Sequence, residues 1–353
     1  MTKGDSHSES RMRRPTQSDV ARLANVSRAT VSIVLRGLDD GRIPISSDTR
    51  RRVLDAARVL GYVPNLAAQA LAGGSNRLIG VFSYEPIFPI ETDGSYYQYV
   101  LGVERQASIE DYNLLLFTRR GRGEKPSVYR NGTNTLSLVD GAILLGSAPD
   151  RDELRRIADE GRPFVYIGRR EVEGRRIDWV SSDRRQAGYI APRHLAELGH
   201  SRIGFVAPDP LELETHIDQF DGCRKAADEI PGVTITRIAL GLLRRGGDLV
   251  ERVRDARLTA LICAEFPMMV KCLTALKAHV EVPRDLSVLS LTDWLVDESF
   301  PGPKPTMIRV HRERVGRAAV KLLVRKLNGE VTGPQQINIP CTLSIGDTTG
   351  PAP

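Results

Sequence analysis

The segment from Thr16 to Leu35 constrains the fold of this chain most, because it has the pattern of two short helices joined by a tight turn. Thr16 followed three residues later by Asp19 has the form of a capping box, and Ser27 offers a hydroxyl to cap the second helix. Two helices this short need a third to form a core, and residues 46–61 predict one. The residues expected to face that core are Val20, Leu23, Ala24, Val31, Val34, Leu35, Val53, Leu54, Ala57 and Leu60.

Such a three-helix unit is the plan of a helix-turn-helix, whose second helix lies in the major groove of DNA. Residues 11–72 contain eleven arginines against five aspartates, an excess that equals the whole formal net charge of +6. A basic module on a neutral body favours a polyanionic partner for the module alone. The alternative is a three-helix structural cap with a solvated basic face. It does not explain why the positive excess is confined to residues 11–72.

The segment after the third helix begins at Pro64, is rich in alanine and ends with Gly73 and Gly74. It is too short to be a stable helix alone, so we interpret residues 63–75 as a hinge helix that becomes ordered on DNA. Leu71 is then a candidate apolar wedge for a base step in the minor groove. The alternative is an ordinary linker with Leu71 packed on the body.

Several motifs follow one another in an order and spacing typical of one family of regulators. They are Asp19-Val-Ala, Ala29-Thr-Val-Ser32, Gly61-Tyr62-x-Pro64-Asn65 and Ile79-Gly80-Val81. By these motifs the chain resembles the lactose/galactose-repressor (LacI/GalR) family. The resemblance implies that Arg28 and Ala29 read bases, whereas Ile33 stands where the family often has an arginine, so the operator should differ from common family sites. The residues assigned to DNA contact are Thr16, Ser27, Arg28, Ala29, Thr30, Ser32, Ile33, Arg36, Asn65, Ala68 and Leu71.

From Leu78 onward, short apolar runs alternate with amphipathic segments, which indicates parallel βαβ units. Two such rounds predict an α/β body of two doubly wound parallel sheets. The resemblance implies that the sheets form the two lobes of a periplasmic-binding-protein-like body. It also implies that the chain passes from one lobe to the other three times. The expected domains are a disordered tail (1–14), a helix-turn-helix domain (15–62), a hinge (63–75) and the body (76–350). Lobe 1 is expected at about 76–195 and 308–334, and lobe 2 at about 196–307 and 335–350.

Composition and motifs exclude several classes of protein. No apolar run approaches the roughly 20 residues of a membrane helix, and residues 1–14 lack the apolar core of a signal peptide, so we expect a cytoplasmic, nucleoid-associated protein. The four cysteines have no metal-ligand spacing and are expected to stay reduced. The sequence has no GxSxG nucleophile elbow, phosphate-binding P-loop or HExxH zinc motif, and its six histidines are dispersed. We therefore expect no enzymatic activity, no metal and no cofactor.

The family binds a small effector between its lobes, and the matching positions depart here from the family pattern. Gln219 stands where the resemblance places a sugar-binding arginine, Glu265 where an Asn-Asp pair begins, and Thr292 where an Asp-Asp pair begins. Asp183 matches a pocket carboxylate of the family. The residues assigned to effector binding are Ser95, Tyr96, Asp183, Gln219, Glu265, Thr292 and Asp293, with Trp294 as either a further wall or a core residue.

Together these features predict a homodimeric transcriptional regulator, a repressor, that binds a near-palindromic double-stranded DNA operator. A sugar or sugar-like effector in the cleft would change the closure of the lobes and so the spacing of the two hinges. The missing sugar-binding residues leave open an effector-independent regulator with a vestigial cleft. A third hypothesis is a soluble binding protein or enzyme with an incidental N-terminal module, against which the hinge motif argues.

Overall fold

The computed structural model describes residues 15–36, 45–63, 76–87, 95–118, 125–147, 149–239, 241, 246–294 and 303–353; of residues 36, 95 and 246–248 it describes the backbone alone. The predicted tail and the hinge residues Asn65, Ala68 and Leu71 lie outside the described residues. The chain divides into two units, Met1–Asn76 and Arg77–Pro353.

The first unit contains the three predicted helices, which confirms that part of the fold. They are α1 (Gln17–Ala24), α2 (Arg28–Arg36) and α3 (Ser47–Leu60). The predicted capping box is formed, because the Asp19 amide donates to the Thr16 hydroxyl (3.3 Å) and the Thr16 amide donates to the Asp19 carboxylate (2.9 Å). At the start of α2, the Thr30 amide donates to the Ser27 hydroxyl (3.0 Å). Local sequence alone therefore sets where these helices begin.

Two of the predicted core residues of this unit are exposed. Leu23 is 52% exposed and Leu54 is 44% exposed, so the prediction was wrong for both. The core contains instead two alanines beside the predicted residues, Ala21 and Ala56. On each helix the buried residues, including this alanine, define the face that packs in the core. At 100° per residue, Leu23 and Leu54 each lie roughly 110° from the centre of that face and so point to solvent.

The second unit alternates strands and helices, as the sequence predicts. Its strands are β1 (Leu78–Ser83), β2 (Asn113–Phe117), β3 (Tyr129–Arg130), β4 (Thr133–Asn134), β5 (Gly141–Leu145), β6 (Phe164–Ile167), β7 (Trp179–Ser182), β8 (Arg202–Ala207), β9 (Thr234–Ala239), β10 (Ala260–Cys263), β11 (Ser287–Ser290), β12 (Thr306–Arg309), β13 (Gln336–Ile339) and β14 (Thr342–Ser344). Its α-helices are α4 (Ser95–Ile109), α5 (Arg151–Asp159), α6 (Arg184–Glu197), α7 (Glu214–Glu229), α8 (Gly246–Asp255), α9 (Phe266–Leu276) and α10 (Arg312–Leu327), and a 3₁₀ turn spans Thr135–Leu138.

Two six-stranded sheets form the centres of the two lobes, which confirms the predicted architecture. Lobe 1 has the strand order β13-β7-β6-β5-β1-β2, and all of its pairs are parallel. Lobe 2 has the order β14-β12-β11-β10-β8-β9 and is parallel except for β14, which runs antiparallel to β12. The central strands β5, β6 and β10 are buried along their whole length, which explains their continuous apolar sequences.

The chain crosses between the lobes at two positions other than those we expected and at one that we expected. The first crossing lies after Ser182 instead of near 195, and the third lies after Ile339 instead of near 335. The second, after Arg309, lies at the boundary expected near 308. Helix α6 belongs to lobe 2, because its Ala187, Ala191 and Leu195 pack in the core of that lobe. Strand β13 belongs to lobe 1, because it pairs in parallel with β7. The lobe boundaries therefore depend on pairing and packing between distant parts of the chain, and no local sequence motif marks them.

Each lobe contains one close helix crossing that glycines make possible. In lobe 1, a Cβ at Gly102 of α4 would lie 2.1 Å from a backbone oxygen of α10, and one at Gly316 of α10 would lie 2.2 Å from a backbone oxygen of α4. In lobe 2, a Cβ at Gly188 of α6 or at Gly222 of α7 would lie 2.0 Å from a backbone oxygen of the facing helix. The two helices of each pair therefore pack backbone against backbone.

The C-terminal segment is fixed to lobe 2 by a buried histidine. His200, 1% exposed, lies with Nδ1 3.0 Å from the Thr259 hydroxyl and with Nε2 3.0 Å from both the Ser287 hydroxyl and the Gly350 carbonyl oxygen. Burial lowers the pKa of His200, an effect that His194 adds to and the Gly350 carbonyl opposes. The folded state therefore favours the neutral ring.

We expect acid to destabilise lobe 2 through this histidine. Because the pKa of His200 in the folded state lies below its ordinary value of 6.5, its contribution to the unfolding free energy is complete above that pH. It is lost as the pH falls towards the lowered pKa. The urea midpoint measured between pH 7.5 and 5 should fall less in His200→Gln than in the wild type. His279→Gln, at an exposed histidine, is the matched control and should keep the wild-type slope; an unchanged slope in His200→Gln would contradict the assignment.

Candidate DNA-binding helix and effector cleft

The N-terminal turn of α2 presents its side chains to solvent. Ser27, Arg28 and Ala29 are exposed, whereas Val31 and Val34 on the other face are 0% and 4% exposed. The helix is therefore held in the three-helix core by one face and is free on the face that a DNA-reading helix uses.

The other residues assigned to DNA contact are less exposed. Thr16 is half-buried and occupied in the capping box, and Thr30 is half-buried and bonded to Ser27. Ser32 and Ile33 are half-buried. The side chain of Arg36 lies outside the described residues, as do Asn65, Ala68 and Leu71. Within the described part of this unit, Arg28 is the assigned residue with both a charge and an exposed position.

Several arginines of the first unit form ion pairs with aspartates on the same helix. The pairs are Arg22–Asp19, Arg51–Asp48, Arg52–Asp48 and Arg58–Asp55, and each arginine side chain in them is 44% exposed or more. Exposed pairs at helical spacing contribute little to stability. A DNA phosphate can therefore replace the aspartate as the partner of such an arginine at small cost.

A cavity of about 390 Å³ lies between the two lobes of the second unit. It is bordered by residues that lie one or two positions after the carboxyl ends of strands from both sheets. Glu85, Gly146 and Gly168 follow strands of lobe 1, and Pro208, Glu265 and Thr292 follow strands of lobe 2. This is where ligands bind in open α/β sheets.

Three of the residues assigned to the effector line this cavity: Tyr96, Glu265 and Thr292. Trp294 lines it as well, and its ring stacks on Phe266 with centroids 5.6 Å apart. The Thr292 hydroxyl accepts a hydrogen bond from the Phe266 amide (3.0 Å). The side chain of Ser95 lies outside the described residues.

The other three assigned residues are bonded within the protein and do not line the cavity. The Asp183 carboxylate caps α6 by accepting from the Gln186 amide (2.8 Å). Gln219 is fully buried and donates to the Ala264 carbonyl oxygen (2.9 Å). Asp293 accepts from Arg312 at the second crossing. The positions carried over from the family pattern therefore include some residues that line the cavity and some that do not.

Five residues with a carboxylate, guanidinium or imidazole group line the cavity without having been singled out from the sequence. They are Glu85, Arg170, Arg184, His216 and Arg312. Glu85 and Arg170 lie within three residues of the ends of β1 and β6, so the position of the strands could have indicated them. Arg184 begins a helix at the first crossing, which we had expected near residue 195. Arg312 begins a helix just after the second crossing, which we had expected near residue 308.

Two ionisable groups that line the cavity, the Glu265 carboxylate and the Tyr96 phenol, have shifted pKa values. Burial alone would raise the pKa of Glu265, but the hydrogen bond with His216 (3.0 Å) and the charges of His216, Arg184 and Arg312 outweigh it and lower that pKa. Burial, together with the charge and hydrogen bond of Glu85, raises the pKa of Tyr96 well above its ordinary value. The phenol therefore stays neutral.

Ion pairs also join the lobes directly beside the cavity. Glu214 of α7, 5% exposed, lies 2.9 Å from Arg151 and 3.7 Å from Arg170, both in lobe 1, and accepts from the Glu171 amide (3.2 Å). One turn later, Asp218 lies 2.6 Å from Arg169 of lobe 1. Burial would raise the pKa of Glu214, but backbone amides and the two arginines outweigh it and lower that pKa. These contacts favour the arrangement in which the lobes meet.

Comparison with known proteins agrees with this geometry. Residues 16–65 match the family described as bacterial regulatory proteins, lacI family, and residues 193–349 match the periplasmic binding protein-like domain. The chain is 31% identical over 356 residues to the HTH-type transcriptional regulator CelR of Thermobifida fusca, covering 96% of this chain and 99% of CelR. The chain belongs to the lacI family of bacterial regulatory proteins.

Other members of the lacI family match along most of their length. The HTH-type transcriptional repressor MelR of Bacillus subtilis is 26% identical, with 94% of this chain and 96% of MelR covered. A structure of a CelR-cellobiose complex is similar with a TM-score of 0.64, 28% identity and coverage of 95% and 100%. A lac repressor dimer bound to operator shares the fold, with a TM-score of 0.71, 22% identity and coverage of 96% and 100%.

As a lacI-family protein the chain is a DNA-binding transcriptional regulator. The relatives named above are transcriptional regulators and not enzymes. Among the described helices, none is long and apolar enough to cross a membrane.

Proposed function

We propose that this lacI-family regulator is a repressor that binds a near-palindromic operator as a homodimer in the cytoplasm. The observation that carries the proposal is the exposed N-terminal turn of α2 in a segment, residues 11–72, whose excess of +6 equals the net charge of the chain. The name of MelR, a repressor, and the operator-bound dimer of the lac repressor support it. A unit of this size covers one half-site, so two copies are needed to read a palindrome.

Arg28 is the proposed reader of bases. Its planar guanidinium matches the two acceptors that guanine presents in the major groove. Ile33, where the family often has an arginine, offers only an apolar contact to a thymine methyl group. Residues 63–75 are proposed, from their sequence, as the hinge that brings Leu71 to a central base step in the minor groove.

The cavity between the lobes is the proposed effector site, and the CelR-cellobiose complex supports a sugar or sugar-like ligand. A ligand that touches both walls binds the closed arrangement of the lobes better than the open one. Only that difference in affinity can change the spacing of the two DNA-binding units, and so the affinity for the operator.

Selection of random DNA by wild type and Arg28→Ala tests this function. The wild type should select a near-palindromic motif with two half-sites. Arg28→Ala should lower operator affinity by about 1–3 kcal/mol and relax the preference at one base pair in each half-site, because it removes the bidentate contact.

The matched control is Arg22→Ala, which removes the same charge from α1. It should weaken binding evenly across sequences, as the loss of a phosphate contact does. An asymmetric single site in the wild type would contradict the dimer, and an identical motif from Arg28→Ala and the wild type would reject Arg28 as a reader.

A second candidate is an effector-independent regulator with a vestigial cleft. It is favoured by the internal hydrogen bonds of Asp183, Gln219 and Asp293, which keep them out of the cavity lining. It predicts that no small molecule changes operator affinity.

A further inference from the structure

Arg184 is an arginine of the cleft with enclosed donors that the protein leaves unused. It is the first residue of α6, directly after the first crossing, and it lines the cavity. Its Nε and Nη1 atoms are both enclosed, and neither has a hydrogen-bond partner among the described residues. A guanidinium stays charged at any ordinary pH, and enclosed donors without an acceptor are unfavourable.

The other charged groups of the cavity lining have partners within the protein. Arg312 lies within ion-pair distance of Asp293, and Arg170 within 3.7 Å of Glu214. His216 lies 3.0 Å from Glu265. Three arginines line the cavity, and two of them, Arg170 and Arg312, have a carboxylate within ion-pair distance. Arg184 has none among the described residues.

The acidic groups of the cavity are occupied as well. Glu85 accepts from the amide and hydroxyl of Ser147, and Glu265 is bonded to His216. Each still has capacity to accept from neutral hydroxyl groups of a ligand. The face of Trp294, stacked on Phe266, offers an apolar wall to a ring.

We propose that the effector is an acidic sugar, whose carboxylate or phosphate group is bound by Arg184. The inference rests on the proposed function, because it assumes that the cleft binds an effector. The planar donors of arginine match two acceptor oxygens of a carboxylate or phosphate, and such charge-assisted bonds are about twice as strong as those to neutral hydroxyls. Arg170, whose Nε is also enclosed without an acceptor, lines the same cavity and is the second candidate donor for the acidic group.

The test uses matched sets of a neutral sugar, its uronic acid and its 6-phosphate. The probes are D-glucose, D-glucuronate and D-glucose 6-phosphate, and the three corresponding galactose compounds, measured by calorimetry and thermal shift at constant ionic strength. In the wild type, an acidic member should bind roughly 10-fold or more tightly than its neutral parent. Whether the uronate or the phosphate binds more tightly identifies the acidic group.

Arg184→Met should remove this preference, and Arg184→Lys should keep part of it. The matched control is Arg185→Met, one residue later, because Arg185 does not line the cavity and is paired with Asp218 and Asp221 of α7. It should keep the full preference. Urea unfolding of each variant shows that its body is folded.

Equal or tighter binding of the neutral sugars would overturn the proposal, as would an acid preference that survives in Arg184→Met. Binding of no member would overturn it too. Failure of the proposed function is distinguishable, because the selection of operator DNA does not depend on these sugars. If the protein selects its operator but prefers neutral sugars, the acidic effector is wrong and the proposed function stands.

Discussion

Gly222→Ala is expected to lower the unfolding free energy of lobe 2 by about 3 kcal/mol, the upper part of the range for overpacking. The new Cβ would lie 2.0 Å from the Arg185 carbonyl oxygen and 2.9 Å from the Tyr189 amide nitrogen of α6. Both are backbone atoms, so one helix must move. Alanine gains about 1 kcal/mol over glycine in helix propensity, which is too little to offset the clash.

Urea unfolding followed by circular dichroism measures this effect, and Gly241→Ala is the matched control. A Cβ at Gly241 meets no described atom within 4 Å, and that variant should unfold close to the wild type. If Gly222→Ala were as stable as the wild type, the two helices would have to lie further apart than the structure places them.

Glu214→Gln is expected to shift the lobes from closed towards open by about 2–5 kcal/mol. The change leaves the side chain in place but removes the charge that neutralises Arg170, which is 6% exposed. An unpaired buried charge is unfavourable, and separation of the lobes lets it be hydrated. The open form should therefore be more populated in the variant than in the wild type.

Spin labels on the two lobes measure this opening. The four native cysteines are buried, so labels attach to exposed positions introduced by Glu173→Cys in lobe 1 and Arg224→Cys in lobe 2. Glu229→Gln is the matched control on the same helix, because Glu229 bonds Tyr189 within lobe 2. Identical distance distributions for Glu214→Gln and wild type would show that these ion pairs do not hold the lobes together.

The sequence predicted those features that depend on nearby residues. The caps at Thr16, Ser27 and Ser46 set where three helices begin, because each cap bonds an amide only a few residues away. The buried strands were predicted for a similar reason, since a strand covered on both faces needs a continuous apolar run. The class of fold followed from the alternation of these elements.

The residues of the cleft were predicted less well, because their partners come from distant parts of the chain. Asp183 was assigned to an effector by its position in the family pattern, yet its carboxylate caps a helix. Arg184, the next residue, lines the cavity and had no motif to mark it. Which of two adjacent side chains lines the cleft depends on where the chain crosses between the lobes, and long-range strand pairing decides that.

Both sheets of the body end in strands from the last part of the chain. Strand β13 completes lobe 1 beside β7, and β14 completes lobe 2 beside β12. The three helices of the first unit, of which α2 contains Arg28, end by residue 60. At about 5–20 residues per second, a ribosome needs roughly 15–60 s to make the remaining part of the chain, about 290 residues. During that time a nascent chain holds every residue of its DNA-reading helices but not yet the strands that complete the effector-binding body.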